Sequence, residues 1–228
     1  MNDRPGISST LGIGADVPRA NTLGLSRRAL LATPMLVGLG IAATAAPGLA
    51  REILGAVEGS SAAGGPFGRV SGQAALPPAV RGRLQAAMRE AIAEAQGLDY
   101  PFGAVLLDAG SGQTVYRAHN TLDSGDPSAF AEVNALRGAA QAGIDLRRTV
   151  LVSTADPGPL GGSVAAWAGV AGIVFGTTVE ALVRWAWPEI AIPVAEVVAH
   201  SPNPGIPVVG GFLAGETDRL YAAGPPPS

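Results

Sequence analysis

The stretch DPSAFAEVNALR, residues 126–137, decides how the rest of the chain reads. Asp126-Pro127-Ser128 predicts a helix start, because short polar side chains cap orphan amides and Pro suits the first turn. The predicted helix runs to about Ala142 and stops at Gly143. It carries one acid, Glu132, with an aromatic residue, Phe130, two positions ahead of it.

On the N-terminal side of this helix, FGAVLLD (102–108) is a short apolar run. Gly110-Ser111-Gly112 turns it into QTVYRAHN (113–120), the pattern of a β-hairpin with a loop slightly longer than two residues. Ahead of the hairpin, Val80, Leu84, Met88, Ala91, Ile92 and Ala95 recur at spacings of three and four, one face of an amphipathic helix closed by Gly97. On the C-terminal side, TVLVST (149–154) reads as a buried strand, followed by ADPGPLGG and a helix through Trp167. GIVFG (172–176) is a second such strand and VEALVRWAW (179–187) a helix. A short helix in 192–200, a last strand in IPVVGG (206–211) and a terminal helix near Glu216 to Tyr221 complete the pattern. Strands alternating with helices of these lengths predict an α/β layered fold with partly parallel pairing. Trp167, Trp185 and Trp187 fall on predicted helices and read as packing residues, and Asp126 and Ser128 as helix caps.

Composition narrows the chemistry. The 228 residues are 47% hydrophobic and 14% charged, without Lys. Cys is absent, which removes disulfides, thiolate ligands and a Cys nucleophile together. Only His119 and His200 remain as imidazoles, so a His-rich metal site is excluded as well. Residues 1–50 hold four Arg and two Asp; without them, 11 Arg face 16 acidic residues, a net charge of −5. That is a poor footprint for a polynucleotide partner, and nucleic acid is not expected.

The N-terminus reads as a targeting signal. In LSRRALLATPMLVGLGIAATAAPGLA (25–50), Ser26-Arg27-Arg28 precedes an uncharged run from Ala29 to Ala50, and S-R-R-x-L-L matches the twin-arginine export pattern. Ala43-Thr44-Ala45 has the A-x-A form of a cleavage site, and Gly48-Leu49-Ala50 is a second candidate. Such length could also span a bilayer, although Pro34, Pro47 and the many Ala and Gly make a weak span. The expected organisation is a signal peptide at 1–50, a Gly/Ser/Ala-rich linker at 51–76, a domain at 77–222 and a tail at 223–228. The expected location is periplasmic or extracellular, with membrane contact only during export or through an uncleaved signal.

The order of motifs carries a further reading. PFGAVLLD, AHN, DPSAFAEVNALR, STADPGPLGGSVAAWAGVAGIVFG and VVGGFLAGE together resemble the cytidine deaminase superfamily. The likeness is closest to its guanine deaminase and tRNA-adenosine deaminase branch, and it covers roughly Pro77 to Tyr221. It implies a three-layer α/β/α fold around a central mixed sheet of about five strands. In that family a helix bearing H-A-E supplies one zinc ligand and the proton-shuttling Glu, and a P-C-x-x-C turn supplies two thiolates. Zinc acidifies a bound water and the Glu, not a ligand, moves its proton to the leaving amine.

Laid onto this chain, the resemblance puts the proton shuttle at Glu132, the His ligand at Phe130, the thiolates at Gly158 and Gly161, and a base-contacting residue at Asn120. No side chain at the three ligand positions can bind metal, so no metal and no cofactor are expected. Zinc can bring the pKa of bound water down to about 7, roughly 12 kcal/mol of nucleophile activation that an ordinary Glu does not replace. Two readings of the altered positions stand side by side. Phe130 plugs the space left by zinc and two thiolates, or Gly158, Gly161 and Gly162 expose amides at a helix start to an anion while Phe130 stacks on a planar ligand.

Three classes of function follow from this reading. One is a non-catalytic deaminase-like protein, as a homodimer or as the partner of an active deaminase-like subunit. Another is a family enzyme with altered, zinc-independent chemistry. The third is a periplasmic binder of small planar, base-like or anionic molecules.

Overall fold

The computed structural model describes residues 48–59, 70–71 and 76–226; the twin-arginine motif and both residues flanking Thr44 lie outside them. Strand β2 (Gly103–Asp108) shows why the sheet sits where it does. Its first five residues are buried in succession, the pattern of a central strand covered on both faces. It pairs antiparallel with β3 (Thr114–His119) on one side and with β4 (Thr149–Ala155) on the other. Burial in β3 alternates along the first residues, as expected of an edge strand with one wet face. Beyond β4 the pairing turns parallel, through β5 (Gly172–Thr177) to β6 (Val208–Val209), and β6 pairs in parallel with β1 (Val70–Ser71). The order is β1-β6-β5-β4-β2-β3, a mixed sheet whose five strands between residues 103 and 209 are those expected from sequence. The two-residue β1 adds a sixth at the edge, within the stretch read as linker.

The alternation of side chains along these strands makes two cores. Leu106, Leu151 and Ile173 point to one face, where they pack with Ala131, Ala135 and Leu136 of α3 (Ala131–Gln141), Ala165 of α4 (Gly158–Ala168) and Val194 and Val198 of α6 (Val194–Ala199). Leu182 of α5 (Val179–Arg184) and Tyr221 of α7 (Ala214–Tyr221) join the same cluster. The neighbours Val105, Val152 and Val174 point the other way, onto Val80, Leu84 and Met88 of α2 (Pro78–Ala95) and Leu49 and Ile53 of α1 (Gly48–Gly59). The result is the expected three-layer α/β/α arrangement. Among the described residues, no helix is long and apolar enough to cross a membrane.

Local departures from the sequence reading have physical causes. Residues 51–59, read as linker, belong to α1, whose Leu49 and Ile53 are fully buried. Asp126 and Ser128 do not cap α3. The Asp126 carboxylate accepts from the Ser128 amide (2.8 Å) and hydroxyl (2.7 Å), closing a turn of its own, and the helix begins only at Ala131. α5 ends at Arg184 rather than at Trp187, because Ala186 takes a left-handed φ of 64°. Trp187 is buried, as expected, whereas Trp167 is 74% exposed. The inner face of α4 is made of Gly158, Gly161, Gly162, Ala165 and Ala166, which seat the helix close to its neighbours and leave Trp167 on the outside.

Candidate functional site

Glu132 lies in the first turn of α3 and is 3% exposed. Its Oε1 accepts a short hydrogen bond from the Ser153 hydroxyl of β4. Burial raises its pKa to about 7; the Ser153 bond opposes this, and Glu189 and Asp156 add repulsion. At the end of β4, Asp156 is also buried, and its Oδ1 accepts from the amides of Gly158 and Val194, both at 2.9 Å. This single carboxyl oxygen joins β4, the start of α4 and the start of α6. Desolvation raises the Asp156 pKa to about 6 against the pull of those two amides. Glu189, in the segment between α5 and α6, is raised to about 7 by desolvation and by Asp156. Asp156 thus adds to the raised values of both Glu132 and Glu189, although Glu189 is only half-buried.

An aromatic and hydroxyl network lies on the same side of the sheet. The Tyr221 hydroxyl donates to Thr154 Oγ1 at 2.6 Å, and Thr154 in turn donates to the Gly103 carbonyl at 3.2 Å and accepts from its amide at 3.0 Å. Trp187 stands edge-on to Phe102 (5.3 Å between centroids) and to Tyr221 (5.8 Å), and its indole N–H donates to the Tyr221 carbonyl at 3.0 Å. Burial, with repulsion from Glu132 and Glu189 in support, holds the Tyr221 hydroxyl well above its ordinary pKa.

The residues singled out from sequence meet only in part. Gly161 lies against Glu132: a Cβ placed on it would be 3.2 Å from Glu132 Cβ and 3.0 Å from Pro157 Cβ. Gly158 has a φ of +55°, a left-handed conformation that L side chains rarely adopt. Its amide is held by Asp156, so the anion seat expected at the start of α4 is already occupied by a side chain of the same chain. Phe130 does not act as a plug. It is half-buried at the N-cap of α3 and lies outside both core clusters, its extended backbone (φ −68°, ψ 152°) preceding the helix. Glycine at 161 lets the Glu132 stem and Pro157 close up instead, so no large void needs filling by a ring.

Asn120 is buried at the end of β3, with Oδ1 accepting from the Leu122 amide at 2.8 Å, the strand-end turn role. It also lines a surface depression of about 250 Å3 with Asp99, Tyr100, Leu122 and Asp123. Sequence reading passed over Asn134, Ser153 and Asp156. Asn134 Nδ2 lies within reach of the His119 carbonyl (2.9 Å), Thr121 Oγ1 (3.0 Å) and the Ala129 carbonyl (3.2 Å), fastening the loop ahead of α3 to the helix. An Asn in the first turn of a helix was the one local signal for it; Ser153 and Asp156 gave none, because their partners are distant in the chain.

The zinc expected of the family does not fit these residues. Phe130, Gly158 and Gly161 offer no donor side chain, Glu132 and Asp156 each commit an oxygen to internal donors, and burial favours their protonated forms. Among the described residues, no group of three or more His, Asp or Glu side chains is placed to hold a metal ion.

Comparison with known proteins agrees with this geometry in fold. Residues 82–177 match the family model described as the cytidine and deoxycytidylate deaminase zinc-binding region. The guanine deaminase from Nitrosomonas europaea is 21% identical, over 67% of this chain and 84% of its own, with a TM-score of 0.50. A variant of the protein NE0047 in complex with 8-azaguanine is 20% identical over 61% and 82%, with a TM-score of 0.53. No curated protein matches the chain. The layered fold and the sequence match over residues 82–177 make the chain similar to the cytidine deaminase-like superfamily.

Proposed function

We propose that the protein is an exported, non-catalytic member of this superfamily, keeping the deaminase fold for binding or for pairing with another subunit. The observation that carries this reading is the turn between β4 and α4. Where the resemblance expects two thiolates, Gly158 is left-handed, which disfavours a side chain although the space beside it is open, and Gly161 lies against Pro157 and Glu132, so the turn offers no donor side chain. Raising the Glu132 carboxyl to about 7 makes it a stronger base than an ordinary Glu, yet it remains far too weak to generate hydroxide from unbound water. Elemental analysis of the purified exported protein should give no stoichiometric zinc, and guanine, cytidine and adenosine should be deaminated no faster than in buffer. One tightly held zinc per chain, or turnover of any of the three, sinks this reading.

A binding role for a small planar base has one specific observation in its favour. Half-buried Glu189, its pKa raised to about 7 by desolvation and by Asp156, holds its proton up to near neutral pH. A carboxylic acid there can donate and accept at once, which suits the edge of an aminopurine. A relative of the same fold has been solved with 8-azaguanine. A thermal-shift panel of purines, pyrimidines and small anions tests this, since a ligand of the native state raises the midpoint. No shift across the panel leaves pairing with another subunit, for which light scattering and co-purification are the measurements.

A further inference from the structure

The chain carries two candidate cleavage motifs five residues apart, Ala43-Thr44-Ala45 and Gly48-Leu49-Ala50, and only the second lies within a described element. α1 begins at Gly48, so the bond between Ala50 and Arg51 sits in its first turn. Leu49 and Ile53, four residues apart on one helical face, are both 0% exposed. They belong to the core cluster built from Val80, Leu84, Val105 and Val152, and Ala50, 2% exposed, belongs with them. The Ala50 amide also donates to the Ala109 carbonyl at 3.4 Å.

We infer that the leader is removed between Ala45 and Ala46, and that α1 is the first helix of the mature domain. This rests on the export reading. A leader peptidase recognises small residues one and three positions before the bond, which both motifs satisfy, but it acts on extended chain. Twin-arginine export carries folded proteins, so α1 is already seated when the peptidase meets the chain. Cutting after Ala50 requires α1 to leave the core and strips Leu49 from it; cutting after Ala45 leaves the whole helix in place. Gly48-Leu49-Ala50 is then a core-forming segment that happens to satisfy the motif.

The test is expression of the full chain in a host with twin-arginine export, followed by intact mass and N-terminal sequencing of the exported fraction. Ala46 as first residue is the expected result, and Arg51 overturns the inference while leaving export intact. Ala45→Leu should leave the chain uncut; continued processing to Arg51 overturns it as well. A wild-type chain kept at full length in the cytoplasm overturns the export reading and the cleavage with it. The role of α1 is read separately, by thermal unfolding of the full chain carrying Leu49→Ala. Its midpoint should fall by roughly 5 °C or more, and an unchanged midpoint overturns the place of α1 in the domain.

Discussion

At Glu132 the governing quantity is proton affinity. Its pKa rises from 4.5 to about 7 on folding, so the folded state binds the proton more tightly than the unfolded chain. Below pH 4.5 both states are protonated and nothing is lost; as pH rises toward 7 the unfolded chain ionises first, and stability falls until the folded carboxyl ionises too. The full difference is about 3 kcal/mol. Glu132→Gln keeps an acceptor for the Ser153 hydroxyl and removes the ionisation. It should therefore stabilise the protein by about 2–3 kcal/mol at pH 8 and change little at pH 4.5. Denaturant unfolding at the two pH values checks this, and equal effects at both contradict the burial of an uncompensated acid. The identity and position of Glu132 were legible in DPSAFAEVNALR, but its partner Ser153 lies 21 residues away and no local pattern announces it.

At the scale of elements, the turn between β4 and α4 is where the resemblance puts two thiolates and this chain has Gly158 and Gly161. The variant Phe130→His, Gly158→Cys, Gly161→Cys supplies the family's donor types, but the backbone at Gly158 and the contacts at Gly161 oppose two of the three side chains, so it should bind zinc less tightly than an unstrained site and unfold at a lower midpoint than the parent without metal. A side chain at left-handed Gly158 costs about 1–2 kcal/mol, and one at Gly161 meets Pro157 Cβ at 3.0 Å and Glu132 Cβ at 3.2 Å, so both must give slightly. Zinc stoichiometry and the unfolding midpoint of the triple variant test both statements. Asp156 is the clasp of the same region: Asp156→Ala leaves the Gly158 and Val194 amides without their acceptor. It should cost about 2–4 kcal/mol in denaturant unfolding, whereas Asp156→Asn, which keeps the oxygen, should cost much less. Tyr221→Phe removes the donor that ties α7 to β4 and should cost about 1 kcal/mol, since Thr154 retains its bonds to Gly103.

For the whole molecule, the titrations combine. Glu132, Asp156 and Glu189 all have raised values, so stability declines as pH climbs through 6 to 8. Asp108, Asp126 and Glu216 are lowered by their hydrogen bonds to Ser111, Ser128 and Arg89, and these contributions disappear only in stronger acid. A midpoint highest near pH 5 and falling toward pH 8 is the expected profile; a maximum at pH 8 counts against the raised carboxyls. By itself the sequence determined the layered fold, the order of its strands and helices and the residue types at positions 130, 158 and 161. Helix and strand periodicities and turn residues are local signals that survive without knowledge of neighbours. Only the tertiary structure decided that the turn is closed over Glu132, that Phe130 is not the plug, that Asp156 holds three elements together and that α1 belongs to the core. Those outcomes depend on burial and on pairing between residues far apart in the chain, and neither is written in any one segment.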